Sequence, residues 1–348
     1  MDAIGPVPFA ATLLADMGAE VVRIARPLGK AGVWGEAGDG VLQRGRSVVR
    51  LDLKSPAGRD ALFGLVERAD ALIEGFRPGV MERLGLGPDL CLTRNPRLVF
   101  ARMTGWGQSG PLATRAGHDL NYIALTGALH AMGTPDAPPL VPLNLVGDYG
   151  GGAMFLVAGL LAALLSARAT GRGQAIDAAI TDGVAASMGL FYAWLPSGRW
   201  LDRPASNLID GGAPFYRCYR CADGGDVAVG CLEPQFFAAM LAGLGLADRG
   251  FRQHDRADWP RIEAALAAAF VSAPRDHWAA LFADTDACVT PVLSMAEAAR
   301  HPHNRARGTF AETEGAIRPG PAPRFSAPVR PAPPPRETDA AAMLERWR

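Results

Sequence analysis

The chain carries no excess of charge of either sign: 35 Lys and Arg stand against 35 Asp and Glu in 348 residues. A balanced chain lacks the electrostatic footprint for bulk binding to nucleic acid or a membrane surface, although it allows a local basic pocket for one anionic ligand. Cysteine is scarce and odd in number, five in all, which fits a reducing cytoplasm better than a disulfide framework. The single C-x-x-C spacing, Cys218-Tyr219-Arg220-Cys221, has no second pair at a zinc-like distance, so no metal centre is expected. No basic stretch leads into an apolar segment at the start, so no secretory signal is expected. The longest near-continuous apolar run, Ala153 to Leu165, is 13 residues, short of the roughly 20 that span a bilayer. There is no G-x-x-x-x-G-K-[ST] loop and no G-x-G-x-x-G placed after a strand. A nucleoside triphosphatase or a dehydrogenase therefore lacks its phosphate-binding anchor.

What is present reads as a globular α/β protein. Apolar residues make up 49% and charged residues 20%, which excludes disorder, and the length suits about two domains. In the first half, short apolar strands alternate with helical patterns. A helix is expected over 8–18, where Phe9, Leu13, Leu14 and Met17 share one face. Strands are expected over 21–24, 48–53, 71–73, 98–103 and 174–180. Ser55-Pro56 reads as an N-cap with proline at the first helical position, opening a helix to about Ala69. A short helix starts at Pro78, and the helix over 152–169 is apolar nearly all round, so it belongs in a core or a subunit interface. Such alternation implies a Rossmann-like parallel sheet with helices on both faces and ligands at the carboxyl ends of its strands. Phe215 to Cys221 and Val227 to Val229, joined by Asp223-Gly224-Gly225, form a hairpin that opens a smaller α+β domain. Helices follow over 235–243, 259–270 and 275–282. The expected organisation is a large domain over 1–180 completed by 322–348, a small domain over 215–305, and linkers over 181–214, which includes a helix with Trp194, and 306–321. Pro333-Pro334-Pro335 reads as an extended connector, and a terminal helix over 339–347 is expected to pack back on the large domain.

Two groups of residues suggest chemistry. Arg26, Arg44, Arg46, Lys54, Arg77 and Arg83 all fall in turns or at helix starts after expected strands. Singly, each is most often a solvated surface charge. Together, at the ligand edge of a parallel sheet, they suit a phosphorylated nucleotide such as coenzyme A. The second group lies between Arg115 and Gly152. His118 and Asp148 stand at the edges of glycine-lined turns, where side chains can face a cleft and the helix-start N–H groups of 148–150 can face a developing negative charge. The plainer reading makes His118 a half-buried histidine and Asp148 a helix N-cap. The residues alone leave both readings open.

Ala116-Gly117-His118-Asp119-Leu120-Asn121-Tyr122, Gly147-Asp148-Tyr149-Gly150-Gly151 and Asp210-Gly211-Gly212-Ala213-Pro214 resemble the α-methylacyl-CoA racemases, a branch of the family III CoA-transferase superfamily. The likeness runs from about Ile4 to about Ser326. It implies an isomerase that inverts the carbon next to a thioester carbonyl through an enolate. His118 and Asp148 would be the paired acid and base, with Glu233 and Asp119 tuning His118. It implies CoA-binding positions at Arg26, Leu51, Asp52, Leu53, Lys54, Gly75, Phe76, Arg77, Arg83, Gly117, Leu120, Asn121 and Tyr122. Coenzyme A would enter as part of the substrate, with no separate cofactor and no metal. Glu233 would come from the small domain of a partner subunit, so an interlocked homodimer is expected, with neither nucleic acid nor membrane as partner. The resemblance also leads one to expect a further strand ahead of Ile4. The alternatives are a CoA-transferase that uses Asp148 as its nucleophile and a non-catalytic acyl-CoA-binding protein. Cys231-Leu232-Glu233-Pro234 stands where transferases typically carry a glycine-rich loop, which favours the racemase.

Overall fold

The computed structural model describes residues 1–27, 39–313, 316–329 and 336–348, so the connector Pro333 to Pro335 lies outside the described residues. It divides into two compact units. One comprises Met1–Ala128, Pro142–Gly189 and Ala311–Arg348; the other comprises Leu129–Val141 and Leu190–Phe310. In chain order the strands are β1 Val21–Ala25, β2 Arg46–Arg50, β3 Ala71–Glu74, β4 Val99–Thr104 and β5 Gln174–Ala179. Then come β6 Tyr216–Arg220, β7 Asp226–Gly230, β8 Val289–Pro291, β9 Phe310–Thr313, β10 Ala316–Pro319 and β11 Arg336–Thr338. The segment 181–214, expected as a linker, holds most of one helix, Ile180–Ser187, and all of another, Gly189–Trp194.

The first unit is a parallel α/β structure in two half-sheets, ordered β1-β2-β11 and β3-β4-β5. β4 is the most buried strand, all but its last residue being covered, as expected for a strand buried on both faces. The helix Pro56–Val66 starts as its sequence dictates: Ser55 Oγ accepts the Gly58 N–H at 3.0 Å and Pro56 occupies the first turn. Its inner face joins Ile24, Val49, Leu72, Phe100 and Met343 in one core. The terminal helix Ala340–Arg346 thus closes the unit through Met343. β11, directly after the proline run, adds to the β2 edge by the register Glu337↔Val48; no apolar run marks it in sequence.

Facing edges of β1 and β3 border a cavity of about 610 Å³, lined among others by Met1, Val22, Ala71, Ile73 and Leu160. Met1 donates from its terminal nitrogen to the Ile73 carbonyl at 2.7 Å, and the Asp2 N–H donates to the Ile24 carbonyl at 2.9 Å. This side-to-side alternation is the hydrogen-bond pattern of a strand lying between two parallel neighbours. Val22 and Ala71, two residues back along each edge, turn their backbone groups to the same cavity by the period of two. Among the described residues no strand fills the rest of it.

The long apolar helix begins earlier than its glycines suggest. A π-helix, Leu145–Ala153, runs directly into the α-helix Met154–Thr170, giving 26 continuous residues. By length and apolar composition this helix could cross a bilayer, which the 13-residue apolar run had excluded. Its neighbours are β4, β5 and the helices Pro6–Asp16 and Ile180–Ser187, so it is a central packing element of the first unit. The second unit is the antiparallel sheet β6-β7-β8 covered by helices. Phe215, Tyr219, Val227, Phe237, Ile262 and Trp278 lie in its core. Cys288 is exposed at a positive φ of 49° beside the third strand of that sheet.

Candidate active site

The loop leaving β4 is shaped by the Tyr122 ring. A Cβ at Gly105 would lie 2.0 Å from that ring and one at Gly117 2.7 Å away, so neither position admits a side chain. The Tyr122 hydroxyl donates to the Gly117 carbonyl, and its ring meets Trp106 edge-on at 4.8 Å. His118 takes the N-cap position of the helix Asp119–Ala124, and its N–H donates to Asn121 Oδ1 at 3.0 Å. The turn is thereby closed by Asn121 while the His118 side chain stays exposed to solvent.

Asp148 enters from the π-helix. It lies in the first turn rather than at the N-cap, a position held by Asn144. Asp119, the residue after exposed His118, is itself buried, and its Oδ1 accepts the Asp148 N–H. A Cβ at Gly147 would stand 2.3 Å from the same oxygen, and one at Gly5 would stand 2.9 Å from Asp148 Oδ2. Glycine at both places lets the backbone close around the two carboxyls. On the far side, a Cβ at Gly183 would lie 1.9 Å from the Gly151 carbonyl, so the π-helix and Ile180–Ser187 pack backbone to backbone. Tyr149 stacks on Phe9 at 4.3 Å.

The electrostatics follow from this crowding. Burial raises the Asp148 pKa and the neighbouring Asp119 charge raises it further, against smaller opposing effects of Asn144 and His118. Asp119 is also raised by burial, although the N–H groups of Asp148 and Gly147 favour its charged form. Its Oδ2 is buried without a hydrogen-bond partner. Two expectations need correction. The hydrogen bonds of Asp119 run to the π-helix backbone, so its contact is with the Asp148 segment rather than with the His118 ring. The N–H groups of Asp148 and Tyr149, expected to face an enolate, already donate to Asp119 and to the Asn144 carbonyl.

The binding candidates lie where a parallel sheet presents them. Arg26 directly follows β1, and its carbonyl accepts from Arg50 at 3.1 Å. Leu51, Asp52, Leu53 and Lys54 form the turn after β2, in which Asp52 Oδ1 accepts the Lys54 N–H at 3.0 Å. Gly75, Phe76 and Arg77 follow β3, Arg83 ends the short helix Val80–Arg83, and Gly117, Leu120, Asn121 and Tyr122 follow β4. The Arg77 charge is felt at Tyr122, where it opposes the burial that raises the phenol. Two arginines of the sequence reading drop out. Arg44 pairs with Asp16, and Arg46 is buried, donating to Thr12, Gln43 and backbone carbonyls. Met103 is buried in β4 and offers no acyl surface. Glu233 belongs to the second unit, exposed, at the N-cap of Pro234–Gly243. Among the described residues no group of three potential ligands could hold a metal ion. The residues that sequence reasoning missed are Asn144, Trp106 and the buried pair Glu74 and Arg102; two opposite charges inside apolar strands were the available signal for the last.

Because the folded-state pKa of Asp148 is raised, the folded protein binds this proton more tightly than the unfolded chain does. The group therefore favours folding in acid and loses that contribution as pH rises through the raised value. Asp148→Asn should gain stability relative to wild type from acid toward neutral pH, by about 1 kcal/mol. Urea unfolding of both proteins at the two pH values measures it, and a difference that stays flat or falls would count against the raised carboxyl.

Residues 1–342 match the CoA-transferase family III model. Alpha-methylacyl-CoA racemase from Mus musculus is 44% identical over 321 residues, spanning 92% of this chain and 82% of the relative. The Homo sapiens protein of that name is 42% identical over 325 residues, spanning 93% and 84%. In fold, the crystal structure of a CAIB/BAIF family protein from Brucella suis superposes with a TM-score of 0.83 at 24% identity, covering 100% of this chain and 97% of that one. The chain belongs to CoA-transferase family III.

Proposed function

We propose that the protein is an isomerase that racemises 2-methylacyl-CoA thioesters by 1,1-proton transfer through an enolate. The observation that carries this reading is that the His118 charge acts on a half-buried Asp148 whose carboxyl is held toward its neutral form. The α-carbon of a thioester is a weak acid, so inversion needs a base on one face and a proton donor on the other. An exposed imidazole accepts the proton, and a carboxyl raised by burial keeps one ready to return. In the reverse direction the two exchange roles. Arg26, Lys54, Arg77 and Arg83, at the carboxyl ends of β1 to β3, suit the phosphates of coenzyme A, which arrives with the substrate. The chemistry calls on no further cofactor. A transferase mechanism would need Asp148 ionised to attack a thioester carbonyl, and both burial and the Asp119 charge oppose that ionisation. A silent binding protein leaves the grouping of His118, Asp119 and Asp148 without a use.

The same reading includes a cytoplasmic homodimer in which Glu233 reaches the His118 site of the partner subunit. Exposed Met154, Phe155, Leu161 and Leu165 on one long helix support a covered interface. It also takes the cavity between β1 and β3 as a strand position of one continuous sheet. A short apolar strand fused ahead of Met1 should then raise the Tm, and an unchanged Tm would count against that position.

In deuterated water the wild type should exchange the α-hydrogen of a 2-methylacyl-CoA and scramble its configuration, read by NMR and chiral analysis. His118→Ala and Asp148→Asn should each lower the rate by about 10²- to 10⁴-fold. Mixing His118→Ala with Glu233→Ala subunits should restore activity if each site draws on both chains. Tight CoA binding with no exchange in the wild type would overturn the racemase reading.

A further inference from the structure

Arg102 lies in the middle of the first unit on β4, in register with Glu74 of β3. Its Nε donates to Glu74 Oε1 at 3.0 Å, while its two terminal nitrogens donate to Glu82 Oε1 at 2.7 Å and Oε2 at 3.2 Å. The second oxygen of Glu74 accepts the Phe76 N–H at 2.7 Å. One guanidinium therefore spans two carboxylates and, through the first of them, fixes the turn that follows β3. That turn carries Arg77, and the helix bearing Glu82 carries Arg83 as the very next residue.

The arrangement has an uneven charge balance. Among the described residues neither Arg77 nor Arg83 has an ion-pair partner, although Glu82 stands beside Arg83 in the chain and Glu74 lies three residues before Arg77. Arg102 occupies both carboxylates first. Glu74 is fully buried and its pKa is raised by that burial, with the Phe76 N–H and the Arg102 hydrogen bond opposing the rise. At Glu82 burial is the largest single effect and raises the carboxyl, but the Arg102 hydrogen bond and charge, a backbone N–H and the nearby Arg83 charge together hold it low. Glu82 is thus an ionised carboxylate. Released from Arg102, it would be left beside Arg83, whose charge already acts on it, and five residues along the chain from Arg77. A bidentate pair with a planar guanidinium is the geometry that holds such a carboxylate most firmly.

We infer that Arg102 is a positioning residue that sequesters Glu74 and Glu82, so that Arg77 and Arg83 remain free cations for a phosphorylated ligand. This rests on the acyl-CoA reading above and deepens it. It assigns to a buried strand residue, remote from the thioester, control over affinity rather than over proton transfer. Lysine is a poor replacement, because its ammonium lacks the planar fork that takes both oxygens of Glu82 while a third N–H reaches Glu74.

The test is CoA binding by calorimetry over a range of salt, with wild type and variants. Wild type should bind, with affinity falling as salt rises. Arg102→Gln should bind about tenfold more weakly or worse and with a shallower salt dependence, since the freed Glu82 quenches the two arginines. If that variant is too unstable, Glu74→Gln/Arg102→Gln removes both buried charges and should show the same loss. Adding Glu82→Gln to either should recover most of the affinity, although the bridge is still broken; a purely structural role for Arg102 would give no such recovery. In the α-proton exchange assay the KM should rise while kcat stays within about twofold. Variants that bind as tightly as wild type, or a failure of Glu82→Gln to restore binding, would overturn the inference while leaving the racemase reading standing. No CoA binding by wild type would overturn both.

Discussion

The carboxylate of Asp119 accepting the N–H of Asp148 is the contact on which the rest of the site depends. It joins the loop that leaves β4 to the start of the long helix, 29 residues further along the chain. A hydrogen bond to an ionised acceptor in a partly buried place contributes on the order of 1.5–3 kcal/mol, more than most surface contacts. It also dictates sequence around it. Gly147 must lack a side chain because the oxygen stands where its Cβ would be, and Gly5 is kept bare by the Asp148 carboxyl. A π-helical start adds one residue per turn and is a common mark of functional segments; here it sets Asp148 in the first turn, with His118 on the neighbouring cap.

Bringing two carboxyls so close has an electrostatic consequence. Both are raised by burial, and Asp119 raises Asp148 further. Asp148 is the member that lacks backbone donors to its side chain and is served only by Asn144 at 3.5 Å. Burial biases both carboxyls toward their protons, and backbone N–H groups oppose that bias at Asp119 alone. On β4, Arg102 engages the carboxylates of Glu74 and Glu82.

Much of this fold was legible because its signals are local. Ser55-Pro56 fixes a helix start wherever it lies, and runs such as Val99 to Met103 can only be buried strands. His118 and Asp148 were visible as titratable groups among glycines, and the motif resemblance gave them roles. What stayed hidden depends on register or on distant partners. That Glu74 faces Arg102 follows from β3–β4 pairing, which no local pattern reveals. Arg46 reads as a ligand cation until the fold buries it against Thr12 and Gln43. β11 has the sequence Arg336-Glu337-Thr338 and becomes a strand only because the β2 edge accepts it. The π-helix escaped notice because its four glycines read as a turn ahead of the apolar helix, and the carboxyl that meets its first turn, Asp119, lies far back in the chain.

The most direct measurement is backbone hydrogen exchange at Gly147 and Asp148 in wild type and in Asp119→Ala, followed by NMR or mass spectrometry. If the Asp119 carboxylate anchors the π-helix, these two amides are protected in wild type. They should then exchange at least about tenfold faster in the variant, with β4 and β5 unchanged. Equal protection of Gly147 and Asp148 in the two proteins would show that the π-helix holds Asp148 without Asp119, and would contradict the central role given to that contact.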